Sequence, residues 1–99
     1  MRYCFDLDGC LCSVVPTVDY SRARPFKKRI AVVNKLYKDG HIIIINTGRG
    51  SVSGINWESF TKKQLKKWGV KYHRLIIGIK PHADYYIDDR GLSDKDFFK

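Results

Sequence analysis

The chain has 99 residues, enough for one domain with a modest hydrophobic core. Its composition, 43% apolar and 29% charged, is that of an ordinary soluble globular protein, and no strictly apolar run is longer than the four residues at 42–45, far too short to span a bilayer. A net charge of +9 favours an anionic partner (nucleic acid, a phosphorylated metabolite or an acidic surface) without choosing among them.

The chain passes straight from Met1-Arg2 into strand-like residues with no signal-peptide core, which makes the cytoplasm the expected location. Residues 2–7, RYCFDL, read as a first strand, rich in aromatic and apolar side chains. Two carboxylates, Asp6 and Asp8, leave it just before Gly9. Residues 11–15 read as a short hairpin arm or flap, and 16–24 as a loop. The three cysteines, Cys4, Cys10 and Cys12, form an odd set with no secretion signal, which argues against a disulfide framework. The spacing of Cys10 and Cys12 with His41, His73 and His82 matches no common zinc pattern.

Pro25 suits the first position of a helix. Phe26, Ile30, Val33 and Tyr37 then fall on one helical face, and Gly40 suits a left-handed C-cap. Four consecutive isoleucines, residues 42–45, predict a strand buried on both faces, as in a parallel sheet covered by helices. A glycine-rich turn, TGRGSVSG, follows from Thr47 to Gly54. Asn56 can cap a second helix with Trp57, Phe60, Leu65 and Trp68 inside. The lysines at 62, 63, 66 and 67 lie outside, as a solvated face or a recognition surface. Residues 75–79, LIIGI, read as a third buried strand, and a fourth runs through residues 85–87 into Asp88-Asp89. The tail LSDKDFFK reads as a helical turn or a loop packed by Phe97 and Phe98.

The order β-α-β-α-β-β implies an α/β fold: a minimal Rossmann-like parallel sheet of about four strands, flanked by helices, in a single domain over residues 1–99. In such a sheet ligands bind at the carboxyl ends of the strands. Those ends carry Asp6 and Asp8, then Thr47, then Lys80, then Asp88 and Asp89. Each alone has a bland reading as turn, cap or solvated surface; together they form a set suited to phosphoryl transfer. Clustered carboxylates need a cation among them, and oxygen ligands of this kind suit Mg²⁺. One carboxylate can attack phosphorus, a second can handle the proton, and a lysine and a hydroxyl can hold the phosphate oxygens.

The motifs YCFDLDG, IIIINTGR, IIGIKP and YYIDD, in that order, resemble those of the haloacid dehalogenase superfamily of phosphatases. The resemblance implies a phosphatase using Mg²⁺, with Asp6 as nucleophile and metal ligand. It makes Asp8 the general acid/base, with its backbone carbonyl on the metal, and Asp88 and Asp89 further metal ligands. Thr47 and Lys80 would hold the phosphoryl group, and Leu7 and Gly9 would offer backbone N–H groups to it. Gly48 and Arg49 would lie beside substrate, although Arg49 reads equally as decoration of the loop. Cys10 stands where threonine is usual in the family. The connections after Gly9 and Thr47 are too short for a cap domain, so the chain resembles a capless member. Such a bare site takes a large substrate or borrows walls from neighbouring copies in a homo-oligomer. A sugar phosphate is the first expectation for the substrate. Nucleic-acid ends are a second, permitted by the charge but unsupported by interleaved aromatic and basic residues. A basic binding protein on a retired phosphatase scaffold is a third. Other assignments fail: a calcium loop starting at Asp6 would place Leu11 and Thr17 where glycine and an acid are needed. The order of acids and lysine is not that of a response-regulator receiver, and TGRGSVSG lacks a P-loop ending.

Overall fold

The computed structural model describes residues 1–16, 19–50, 56–78, 84–85 and 91–99. Among these, β1 (Arg2–Phe5), α1 (Lys27–Lys38), β2 (Ile42–Thr47), α2 (Glu58–Lys67), β3 (Arg74–Ile77) and α3 (Asp94–Phe97) follow in order, with a 3₁₀ turn at Tyr20–Arg22 before α1. The strands form one parallel sheet in the order β1-β2-β3. Its register pairs Phe5 with Ile45 and Thr47 with Ile77. This is an α/β arrangement consistent with a Rossmann-like sheet. It has three strands among the described residues; the expected fourth strand, residues 85–87, lies outside them except for Tyr85.

Right-handed crossovers through a sheet of order 1-2-3 put α1 and α2 on the same side. The core sits there. Ile43 and Ile45 of β2 are wholly buried with Val33 of α1 and Leu65 of α2, and Phe5 and Ile30 are nearly so. The expectation of an isoleucine strand buried on both faces is corrected in part. Ile42 is 41% exposed and Ile44 half-buried, because alternate residues of β2 turn to the face away from α1 and α2.

Helix ends follow local chemistry. Helix α1 begins at Lys27, two residues after the predicted start, because Pro25 pairs with Cys12 and the N–H of Phe26 donates to Leu11 O at 2.8 Å. Gly40 ends it at φ +94°, as expected. On α2 the N-cap position is Trp57, but Asn56 still supplies the cap oxygen, accepting from Glu58 N at 3.0 Å. Asn34 ties the layers: its amide donates to Gly69 O and accepts from Lys71 N, each at 2.8 Å.

The tail folds back on β1. Phe97 lies 5.4 Å from Phe5 and 5.9 Å from Tyr3, ring centre to ring centre. Arg29 of α1 holds this turn in place by pairing with Asp94 at 2.7 Å and stacking 4.9 Å over Phe98.

Candidate active site

Beyond Phe5 the chain leaves the sheet and closes a tight turn. Leu7, 0% exposed, presents its carbonyl to the N–H groups of Cys10, Leu11 and Cys12 at 3.1, 2.9 and 3.2 Å. Gly9 takes φ +85°, a conformation that only glycine adopts cheaply, and its N–H donates to Cys12 O at 2.8 Å. The segment read as a hairpin arm is therefore a compact turn rather than a strand, bridged once to Asp8 and once to Pro25 through Cys12. Asp6 and Asp8 flank the buried Leu7, so the turn presents both acids at the carboxyl edge of the sheet.

Asp6 is half-buried, and its Oδ1 accepts from Leu7 N at 2.9 Å. The N–H groups of Leu7 and Gly9, expected to face a phosphate, are thus both used within the turn. Thr47 ends β2, 1% exposed, and its Oγ1 accepts from Arg49 N at 3.3 Å. The β1–β2 register ends at Phe5–Ile45, one residue before Asp6 on one strand and Asn46 on the other. Among the described residues the buried Asn46 Oδ1 atom has no hydrogen-bond partner. Gly48 is half-buried between Thr47 and Arg49. Lys80, Asp88 and Asp89 lie outside the described residues, as does His82; Asp84 is exposed. Among the described residues no three His, Cys, Asp or Glu side chains gather to hold a metal ion.

Arg49 departs most from its expected place. It is 2% exposed, with its guanidinium turned inward onto Asp8: Nε to Oδ2 at 3.0 Å and Nη2 to Oδ1 at 2.9 Å. Nη1 donates to Gln64 Oε1 at 2.7 Å and to Thr61 Oγ1 at 3.3 Å, both on α2. The Tyr20 ring stacks 4.2 Å from the guanidinium carbon. Gln64 is itself held, donating to Tyr20 O at 2.7 Å. The sequence reading missed Thr61, Gln64 and Tyr20. One signal was available: Thr61 and Gln64 fall at i and i+3, on the same flank of α2 as Leu65.

Burial and neighbouring carboxylates act on the thiols. Desolvation, reinforced by Asp8, pushes Cys12 up to about 12, and its Sγ lies 3.5 Å from Asp8 Oδ1. Desolvation, reinforced by Asp6, pushes Cys10 up to about 11. Burial, with a smaller contribution from Asp8, also raises Tyr20. These thiols are neutral near pH 7 and serve as packing.

A cleft of about 780 Å³ runs along β1, Arg2 to Phe5, between the acidic turn (Asp6, Asp8, Gly9 and Cys10) and the tail (Gly91, Leu92, Asp94, Phe97 and Phe98); Thr47 does not line it. Among the described residues no helix is long and apolar enough to cross a membrane.

The fold and this edge define a small parallel α/β protein with an acidic turn after its first strand. A structural-genomics target from Vibrio cholerae, known from its crystal structure, shares the fold with a TM-score of 0.82 and 27% identity, over 98% of this chain and 86% of that one. A chain of the Pnkp1/Rnl/Hen1 complex matches with a TM-score of 0.62 and 22% identity over 89% of this chain, which spans only 30% of that one. No family model and no curated protein matches the sequence.

Proposed function

We propose that the chain is a phosphatase of the haloacid dehalogenase type, hydrolysing the phosphate monoester of a small metabolite through a phosphorylated Asp6. A sugar phosphate is the first candidate. The observation that carries this reading is the meeting, at one sheet edge, of the Asp6–Asp8 turn after β1 with Thr47 at the end of the adjacent β2. The cleft that Asp6 and Asp8 line has room for a phosphorylated monosaccharide, and the buried Thr47 lies behind the acids rather than in its wall.

The donors at this edge are oxygens, and among the described residues the buried Asn46 Oδ1 lacks a partner, a set that suits a hard cation such as Mg²⁺. Asp6 and the backbone carbonyl of Asp8 would hold the ion, with Asp88 and Asp89 joining them. Bound there, it supplies charge neutralisation to the carboxylates and the phosphoryl group. In the first half-reaction an Asp6 oxygen attacks phosphorus, the bond to the ester oxygen breaks, and Asp8 gives its proton to the departing alcohol. In the second, Asp8 takes a proton from water, and the water oxygen attacks phosphorus. Inorganic phosphate leaves and the Asp6 carboxylate is restored. The Thr47 hydroxyl and Lys80 hold the phosphoryl oxygens through both steps.

A second reading, hydrolysis at nucleic-acid ends, draws on the net charge of +9 and on the exposed lysines at 62, 63, 66 and 67 along α2. A panel of sugar phosphates, nucleotides and 3′- or 5′-phosphorylated oligonucleotides, assayed with and without Mg²⁺, separates the two. Turnover of the small esters that needs Mg²⁺ and disappears in Asp6→Asn is the expected result. Preferential turnover of oligonucleotide ends, with steeply salt-dependent binding, selects the second reading. Undiminished hydrolysis by Asp6→Asn excludes both.

A further inference from the structure

Arg49 stands one residue past the glycine that follows Thr47, where a phosphate or sugar ligand was an open reading. Its contacts point elsewhere. A guanidinium has five N–H groups. Here Nε and one N–H of Nη2 go to the two oxygens of Asp8. The other N–H of Nη2 points at Cys12 Sγ, 3.9 Å away. Those of Nη1 go to Thr61 and Gln64. One face of the plane is covered by the Tyr20 ring. No N–H is left for a substrate, and the group is sealed from solvent. Asp8 differs: its side chain keeps 22% of its surface exposed and borders the cleft with Asp6.

We propose that Arg49 is the positioning residue for Asp8, acting on proton transfer and not on substrate binding; this role rests on the phosphatase reading above. Each carboxylate oxygen has two lone-pair directions. Arg49 occupies one on each oxygen and the Cys12 thiol approaches Oδ1 at 3.5 Å, which fixes the carboxylate plane and leaves the second direction on Oδ2 unclaimed among the described residues. When Asp8 gives its proton to the departing ester oxygen, it becomes a carboxylate, and the full positive charge already beside it stabilises that charge as it forms. The charge is in place beforehand because α2 and the 3₁₀ turn hold the guanidinium through Thr61, Gln64 and Tyr20. A bidentate fork does this; a lysine ammonium, a point charge, cannot match both oxygens.

The consequence is selective. General acid catalysis matters most when the leaving group is a poor one, such as an alkoxide, and least for p-nitrophenolate, which departs without a proton. The experiment compares kcat/KM for an alkyl phosphate and for p-nitrophenyl phosphate in wild type, Arg49→Met, Arg49→Lys, Asp8→Asn and the Asp8→Asn/Arg49→Met double variant. The value of kcat/KM reports transfer to Asp6, before the water step. Arg49→Met is expected to lose on the order of 10²-fold on the alkyl phosphate, within the range of general acid catalysis, and about tenfold or less on p-nitrophenyl phosphate. KM should hold nearly constant. Arg49→Lys should not restore the loss, and the double variant should be no worse than Asp8→Asn alone. Thr61→Val and Gln64→Leu, which loosen the fork without removing its charge, should show the same skew in smaller measure. They decide the matter should Arg49→Met fail to fold. A rise in KM with equal loss on both esters would make Arg49 a substrate ligand and overturn the proposal. Absence of skew in the Thr61 and Gln64 variants would overturn it too. Wild-type protein inactive on both esters with Mg²⁺ would remove the phosphatase reading itself, and the role of Arg49 with it.

Discussion

Gln64 and Arg49 meet at 2.7 Å in the interior, the amide oxygen accepting from Nη1 while the amide nitrogen of the same side chain donates to Tyr20 O at 2.7 Å. A polar residue 8% exposed on the inner flank of a helix is costly unless both ends are satisfied, and here both are. Gln64→Leu strips an acceptor from a buried cation. It should cost about 1–3 kcal/mol of unfolding free energy, the penalty for an unsatisfied buried donor. Urea denaturation measures it: the midpoint should fall with an unchanged slope. A Gln64→Leu protein as stable as wild type would mean that the Arg49 cluster needs no support from α2.

Gly9 is the conformational hinge of the acidic turn. At φ +85° a built Cβ would lie 3.2 Å from Val14 Cγ2. Gly9→Ala therefore meets both left-handed strain, about 1–2 kcal/mol, and a crowded neighbour. Lower thermal stability is expected, and displaced amide resonances for residues 6–12 in a ¹H–¹⁵N spectrum. Unmoved resonances would show that the turn tolerates a side chain there.

The hydrogen bond from Arg29 holds the Asp94 carboxyl below the usual carboxylate range. Its folded-state value therefore lies below its unfolded one. The pair contributes stability at neutral pH that is lost as pH falls through the folded value, because the unfolded chain binds the proton first. Wild type should lose more stability than Asp94→Asn between pH 7 and 3, measured as the difference in urea midpoints. Parallel curves for the two proteins would remove Asp94 from the acid response.

The buried thiols give a response at the other end of the scale. Cys10 and Cys12 are raised from 9.0 to about 11 and about 12. Unfolded chains ionise these groups first as pH rises, so the folded protein loses stability from about pH 9 upward through the folded values. The thiolate is the reactive form, so native protein at neutral pH should take up maleimide at the exposed Cys4 and label Cys10 and Cys12 only on unfolding. Peptide mapping by mass spectrometry checks this; rapid native labelling of Cys12 would contradict its burial.

Leu65 tests the packing of α2 on the sheet. It is 0% exposed, and Leu65→Ala should cost about 2–5 kcal/mol. A loss well under that range in chemical denaturation would mean that α2 is not anchored through this side chain.

Much of the architecture was legible from local pattern. The apolar face of residues 26–37 found α1, the isoleucine run found β2, Gly40 marked a helix end, and the phenylalanines of the tail were placed as packing. Alternation of strands and helices dictated a parallel sheet and hence a shared carboxyl edge for Asp6 and Thr47, which the paired strands β1 and β2 provide. These features depend on periodicity and backbone stereochemistry, which act over a few residues and are written in the chain itself.

What the chain order left open was where each polar side chain turns once the layers close. The isoleucine run gave no sign that Ile42 would remain 41% exposed, because that depends on which face α1 and α2 cover. Arg49 could be a ligand or an ornament in the sequence. Its bond to Asp8 spans 41 positions, and its supports come from Tyr20 on one side and from Thr61 and Gln64 on the other. A long flexible cation acquires a single geometry only when packing excludes water from all its alternatives, and only the assembled layers do that.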